Sequence, residues 1–331
     1  MKKTLLALAV LGAVGAANAQ TAIVIDGSID TSIRNRAPAA GSNTTELVSN
    51  QRNTNYIGIS GTENIGGGLK GIFQVRTGYG SDASTASSVG DQNVWLGLQG
   101  GFGTVKLGRD LTPQFLQVSA YSTFGTGFLN NRSSMNAGSV DARWNNSVQY
   151  VTPNLSGFGL QLMVAPRQET TLVAGANFTT AGYTAAQVAA FGVPMNARLT
   201  YGAGPLSAGL AVVRNGSAGP DTVWNLGGSY NFGVATLKAQ FERDQNTGLA
   251  AGNKNAWLVG AEGAVPGTAI VLKAQYSKRN AATAVSPTEK AVGVGADYNL
   301  SKRTTAYLFW GKQDAAVGGL RDTVLGVRHA F

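Results

Sequence analysis

The sequence predicts an all-β fold: a transmembrane barrel of sixteen antiparallel strands. Three observations support it: long stretches of alternating apolar and polar residues, a regular succession of short turns and long polar loops, and aromatic residues near both ends of the predicted strands. Composition agrees, because 45 of 331 residues are Gly and only 13% are charged. Glycine is thus about twice its usual share of roughly 7%, and charged residues are about half theirs. Such a chain suits tight turns and a lipid-facing surface.

Residues 1–19 have the layout of a secretory signal peptide. Lys2 and Lys3 provide a positively charged start, residues 5–14 are apolar, and residues 17–19 read Ala-Asn-Ala, a typical cleavage site. A buried first helix or a membrane anchor would need a longer apolar stretch. We therefore expect export, cleavage after Ala19, and a single barrel domain over residues 20–331.

Apolar and polar residues begin to alternate directly after this segment. Between Ile23 and Arg34 the odd positions are mainly Ile and the even ones mainly Asp, Ser and Arg. Similar stretches recur at residues 69–79, 158–165, 235–242 and 323–331. The pattern predicts strands with one apolar and one wet face, of the length that a membrane-spanning strand needs, about 9–11 residues. No run of about 18 apolar residues follows the leader, so the alternatives are a soluble exported β protein and an outer-membrane barrel.

The connections between the predicted strands are of two kinds. Seven are short and rich in Gly, Pro and Asn, at residues 64–68, 100–103, 153–157, 202–205, 231–233, 265–267 and 299–302. Eight are long and polar, at residues 35–50, 80–92, 110–141, 167–190, 214–221, 245–254, 279–288 and 313–321. Their alternation requires sixteen strands. Short turns at one rim and long loops at the other are typical of outer-membrane barrels rather than of soluble sandwiches.

Aromatic residues support the membrane assignment independently. One set lies in or beside the short turns: Phe102, Tyr201, Tyr230, Phe232, Tyr298 and Phe331. A second set lies nearer the long loops: Tyr79, Trp95, Trp224, Phe241, Trp257 and Tyr276. Rings with an apolar body and a polar edge favour the two bilayer interfaces, so the sequence predicts insertion into the cell outer membrane.

Four short motifs follow one another along the chain. They are GTENIGGGLK at residues 61–70, LGRD at 107–110, YVTPN at 150–154 with Gly157 and Phe158 after it, and GVRHAF at 326–331. Together they resemble the general diffusion porins of Gram-negative bacteria, and among these the beta-proteobacterial branch. The resemblance implies a homotrimer of sixteen-stranded barrels that passes small hydrophilic solutes and ions, with the third extracellular loop constricting each barrel. It also implies that the terminal Phe331 is recognised by the outer-membrane insertion machinery.

The longest connection, residues 110–141, is the expected constriction loop. Its residues of interest are Asp110, Gly125, Thr126, Gly127, Arg132 and Asp141. The glycines on either side of Thr126 permit close backbone packing and predict the inward tip of the loop. Between Asp110 and Asp141 there is no acidic residue, and Arg132 is the only charged one. The family usually sets acidic groups on this loop against a basic wall, so this chain departs from the pattern.

Basic residues whose strand parity faces the lumen predict a moderate anion preference. Sixteen strands enclose an aqueous channel, and with a Debye length of ~8 Å at physiological salt, charges in a narrow pore act across it. The expected selectivity residues are Arg143 and Arg76 foremost, with help from Arg34, Arg52 and Lys106. Arg143 matches a wall arginine of the family, whereas Tyr56 and Gln92 stand where relatives often carry further arginines. Other charged residues of inward parity are Lys70, Arg167, Arg198, Lys238, Lys273, Asp26, Asp30, Glu242, Asp244 and Asp297.

The composition argues against other classes of function. The chain has no Cys, and its sole histidine, His329, has the parity of the lipid-facing side, so we expect no catalytic site, metal site or cofactor. The net charge of +9 is dispersed and forms no basic stripe with stacking aromatics, which argues against nucleic-acid binding. Basic rim residues are expected to meet lipopolysaccharide phosphates. A substrate-specific outer-membrane channel is the alternative, although no continuous inward row of aromatics favours it.

Overall fold

The barrel is described by a computed structural model for residues 22–82, 88–125, 127–128, 135, 142–166, 192–214, 222–245, 254–280, 288–314 and 319–331. The predicted signal peptide lies outside these residues. The strands are β1 (Ala22–Pro38), β2 (Thr44–Ser49), β3 (Tyr56–Gly66), β4 (Leu69–Gly78), β5 (Asn93–Gly100), β6 (Gly103–Leu111), β7 (Arg143–Val151), β8 (Phe158–Val164), β9 (Met195–Ala203), β10 (Leu206–Arg214), β11 (Thr222–Asn231), β12 (Thr236–Asp244), β13 (Lys254–Ala264), β14 (Ile270–Arg279), β15 (Glu289–Asn299), β16 (Thr304–Asp314) and β17 (Leu320–Ala330). From β3 onward each strand pairs with the next in antiparallel register, and β1 pairs with β17, which closes the sheet into a barrel.

The seventeen strands of the described residues fill sixteen positions in the wall, because β2 and β3 share one position. β2 pairs with the second half of β1, ending at Thr31↔Ser49. β3 pairs with the first half, starting at Ser28↔Tyr56. Residues 50–55 interrupt the strand between them. The predicted sixteen-stranded barrel is therefore confirmed, with one strand divided in two.

The prediction of a long loop at residues 35–50 is wrong. Only residues 39–43 connect β1 to β2 outside the strands. The polar residues that suggested a loop instead pair across the two strands: Asn35 Nδ2 donates to Thr45 Oγ1 at 2.9 Å, and Arg34 forms an ion pair with Glu46 at 2.6 Å. Polar side chains satisfied across a ladder are compatible with strands, and composition alone does not reveal that pairing.

All seven predicted short turns join consecutive strands, and they lie at one rim of the barrel. The β3–β4 turn shows why its sequence is glycine-rich. Gly66, Gly67 and Gly68 have φ values of +105°, +59° and +81°. Residues other than glycine adopt such backbone conformations only with strain. The seven predicted short turns are thus confirmed.

The barrel carries apolar side chains on its outer face and polar ones inside, which is the reverse of a soluble protein. Leu96 and Leu325 are 65% and 59% exposed, whereas Gln240 and Gln275, which face inward, are 4% exposed. Aromatic pairs lie near both rims, for example Phe158–Tyr201 and Tyr230–Phe232 by the short turns, and Trp224–Phe241 and Trp257–Tyr276 by the long loops. An apolar outer face between two aromatic belts is what a bilayer requires.

Candidate functional site

The constriction loop lies between β6 and β7. β6 extends to Leu111, because Asp110 pairs with Trp144, so Asp110 belongs to the wall rather than to the loop. The loop begins with the helix α1 (Pro113–Ala120). Thr112 caps it by accepting a hydrogen bond from the backbone N of Phe115 at 3.2 Å, and Pro113 opens the first turn, where its missing N–H costs nothing. Among the described residues, no helix is long and apolar enough to cross a membrane.

Polar side chains fasten α1 and the residues after it to the inner wall. Gln114 Nε2 donates to Glu242 of β12 at 3.0 Å, and Gln117 Nε2 donates to the carbonyl of Gly209 in β10 at 2.6 Å. Further along, the backbone N of Thr123 donates to Gln275 Oε1 of β14 at 2.9 Å. The loop therefore runs around the inside of the barrel, as predicted, and takes up part of the lumen.

Three inward-facing glycines make room for this segment. A Cβ on Gly209 would overlap the Gln117 side chain, one on Gly227 the Tyr121 ring, and one on Gly260 the Thr123 hydroxyl. We call Gly209, Gly227 and Gly260 the glycine floor. Sequence reasoning missed this feature, although glycines at inward parity in neighbouring strands were a usable signal.

The far end of the described part of the loop packs against β16 and β17. Phe124 and Phe128 meet Phe309 with ring centroids 5.1 and 5.3 Å away, in a buried cluster completed by Tyr307 and Val324. The two predicted tip glycines follow Phe124 here: Gly125 has φ +63°, and Gly127 lies against the carbonyl oxygens of Asn50 and Gln51. The other predicted loop residues, Thr126, Arg132 and Asp141, lie outside the described residues.

Two predicted selectivity arginines contact the neutral residues Tyr56 and Gln92. The Arg76 guanidinium lies 3.8 Å from the centre of the Tyr56 ring, and its Nη2 is 3.2 Å from Asp26. Arg143 Nη2 donates to Gln92 Oε1 at 3.2 Å. Tyr56 and Gln92 thus orient basic side chains that other strands supply.

A chain of alternating charges continues around the wall. Arg52 binds Asp297 with both Nε and Nη2, at 3.1 and 2.9 Å. Lys273 lies 2.9 Å from the same carboxylate and 3.8 Å from Glu262, which in turn lies 2.8 Å from Lys238. Three positive groups and two negative ones form this series, so it has a positive excess.

Among the basic residues of the lumen that sequence reasoning missed is Arg328. It faces inward from β17 opposite Asp30, and its Nε donates to Ser28 Oγ at 3.2 Å. The parity of β17 was the available signal, because its outward neighbours Val327 and His329 are exposed. His329 Nδ1 lies 2.9 Å from Thr304 Oγ1 on that outer side.

The remaining two predicted selectivity residues have acidic partners too, as Arg76 and Arg52 do. Arg34 lies 2.6 Å from Glu46. Lys106 lies 2.8 Å from Asp110 and 4.5 Å from the centre of the Trp95 ring. Both carboxylates reduce the field that these cations present to a passing ion.

Comparison with known proteins gives consistent matches over the full length. A family model described as Gram-negative porin matches residues 6–316. The chain is 32% identical to outer membrane porin protein 32 of Delftia acidovorans and 26% identical to an outer membrane porin protein of Bordetella pertussis, each alignment covering 100% of both chains. Among solved structures, it is similar to an anion-selective porin from Comamonas acidovorans with 27% identity and a TM-score of 0.77, over 94% of this chain and 100% of the other.

Proposed function

This chain belongs to the Gram-negative porin family, and we propose that it is a general diffusion porin with moderate anion preference. As a porin it lies in the outer membrane and forms a water-filled channel for small hydrophilic solutes and ions. The finer proposal concerns which ions pass more easily.

The observation that carries the anion preference is a basic wall facing a loop that has no acidic residue between Asp110 and Asp141. The wall contributes Arg76 and Arg143, and the series from Arg52 to Lys238 adds a positive excess. Low-dielectric walls focus such a field to several kT inside a narrow pore. The similarity to an anion-selective porin supports the same sign.

A liposome-swelling assay distinguishes general diffusion from the alternative, a substrate-specific channel. A general diffusion porin should give swelling rates that fall smoothly with the size of neutral sugars, since the sequence predicts no continuous inward row of aromatics to bind one of them. A single sugar that enters much faster than others of its size would favour the substrate-specific channel. Liposomes without the protein are the control.

The proposal extends to export, assembly and insertion. The leader at residues 1–19 is cleaved, and three copies assemble into a homotrimer, as the family resemblance implies. Phe331 pairs its backbone with Gly27 at 3.0 and 3.1 Å, and its ring covers Gly27 on the outer surface. It is 42% exposed, which suits recognition by the insertion machinery.

A basic pair at the long-loop rim suits contact with lipopolysaccharide. Lys312 and Arg321 are adjacent in the β16–β17 register, and both are exposed. Their charges can approach lipid phosphates from the outer face of the barrel.

A further inference from the structure

The break between β2 and β3 places surplus chain in the lumen. On β1 only two residues, Ile29 and Asp30, lie between the last pair of β2 and the first pair of β3. The opposite side fills the same interval with residues 50–55, which we call the inward turn. Because six residues cannot lie in register with two, the surplus leaves the sheet, starting at Asn50 with φ +64°.

Asp30 holds the inward turn from β1. Its Oδ2 accepts hydrogen bonds from the backbone N of Arg52 at 2.6 Å and of Asn53 at 2.7 Å. Its Oδ1 accepts from the hydroxyl of Tyr307 on β16. Asp30 is fully buried, and a buried carboxylate with three donors is stable where it lies and costly to disturb.

The backbone around the break is also satisfied. Asp30 N donates to Asn55 Oδ1, and Asn50 N donates to the Asp30 carbonyl at 3.3 Å. The hydroxyl of Tyr79, from the β4–β5 loop, donates to the Ser28 carbonyl at 3.0 Å. These bonds replace the ladder that β2 and β3 leave open, so the inward turn is a defined part of the wall rather than a frayed strand.

The Arg52 side chain runs along the inside of the barrel wall. Its backbone N is bound by Asp30 of β1, and its guanidinium reaches past β17 and β16 to Asp297 on β15. The tip of the constriction loop rests on the same turn, because Gly127 lies against the carbonyl of Gln51. The turn and the loop therefore border the same cross-section of the channel.

We propose that Asp30 is a positioning residue for ion selectivity: it fixes the inward turn and so keeps the positive charge of Arg52 in the channel. The inference rests on the proposed anion preference. The direction in which Asp30→Asn changes the anion preference distinguishes this proposal from a simple count of charges. Asp30 is itself acidic and faces inward, so its neutralisation alone would raise anion preference, whereas release of Arg52 lowers it.

The test is the chloride-to-potassium permeability ratio of Asp30→Asn in planar bilayers. An asparagine has one acceptor oxygen in place of two and turns an amide N–H₂ toward the donors of the inward turn. We expect the ratio to fall about twofold, and to fall by the same factor in Arg52→Gln, because a unit charge at ~8 Å is partly screened. Asp30→Asn should lower it no further when Arg52→Gln is already present. Asp26→Asn, the same substitution on the same face of β1, is the matched control and should raise the ratio.

A cysteine reporter separates positioning from general loss of structure. The chain has no Cys, so Arg52→Cys provides a single thiol to which a cationic methanethiosulfonate reagent returns a positive charge. We expect labelling to restore the ratio in Arg52→Cys, and to restore it less when Asp30→Asn is also present. Tyr307→Phe, which removes one donor and keeps the ring, replaces Asp30→Asn if that variant does not fold, as judged on unheated detergent gels.

Equal restoration in both backgrounds, or a ratio that stays level or rises in folded Asp30→Asn, would overturn the proposal. A cation-preferring parent protein would instead refute the proposed function. The change from parent to variant tests the role of Asp30 whatever the absolute selectivity of the parent.

Discussion

At the scale of single residues, the charge that an ion meets depends on what each basic side chain is bonded to. Arg34 and Lys106 each lie within 2.8 Å of a carboxylate, at Glu46 and Asp110. Arg143 Nη2 donates to the amide oxygen of Gln92 at 3.2 Å, a contact that orients its guanidinium. Arg143 is also one of the two foremost predicted selectivity residues, so its substitution tests the basic wall directly.

Arg143→Ala should lower the chloride-to-potassium permeability ratio about twofold, because one charge ~8 Å from the ion path is worth roughly 0.2 kcal/mol after screening, with opposite signs for the two ions. The measurement is the reversal potential in a KCl gradient. Lys312→Ala is the control: Lys312 is 48% exposed on the outer face, so its removal should leave the ratio unchanged. A shift of Arg143→Ala toward anions would contradict the role assigned to it.

At the scale of elements, the aperture is set by how closely the constriction loop approaches the wall. The glycine floor lets α1 and the residues after it lie directly on β10, β11 and β13. The hydrogen-bonded wall cannot yield outward, so a larger side chain in the floor must push the loop toward the channel axis.

Gly227→Ala should therefore reduce single-channel conductance and increase current noise, since its Cβ would overlap the Tyr121 ring. Single-channel recording in planar bilayers checks this. Gly202→Ala is the matched control, because a Cβ added to that strand glycine would meet nothing within 4 Å. Conductance equal to that of the parent would mean that the loop does not rest on the floor as described.

Elements also show how much of the structure the sequence determines locally. Alternation and turn chemistry are local, so the strands other than β2 and the seven short turns follow from them. The inward turn depends on Asp30, some twenty residues before it, and on Tyr307 at the other end of the chain. No local pattern encodes such a contact. Arg328 and the glycine floor were accessible through strand parity, but their importance depends on what the loop brings opposite them.

At the scale of the whole molecule, the barrel combines an apolar exterior with a polar interior. Its closure is completed at the last residue, where Phe331 pairs with Gly27 at the end of the β1–β17 seam. A chain without cysteines holds this closed form by backbone hydrogen bonds and by the constriction loop inside it.

The proposed homotrimer predicts insertion events of three equal conductance steps, because each subunit contains its own channel. The same preparation should sediment as a trimer in detergent, after correction for bound detergent. Single steps from a monodisperse monomer would refute the trimer and leave the pore itself intact.

The most direct test of the central claim is the zero-current potential of the parent protein across a tenfold KCl gradient. The basic wall facing an acid-free constriction loop predicts the sign given by chloride moving more easily than potassium. Asp297→Asn should move the potential further in that direction, because it removes an acidic partner of Arg52 and Lys273. A potential of the opposite sign, or one indistinguishable from zero, would contradict the account.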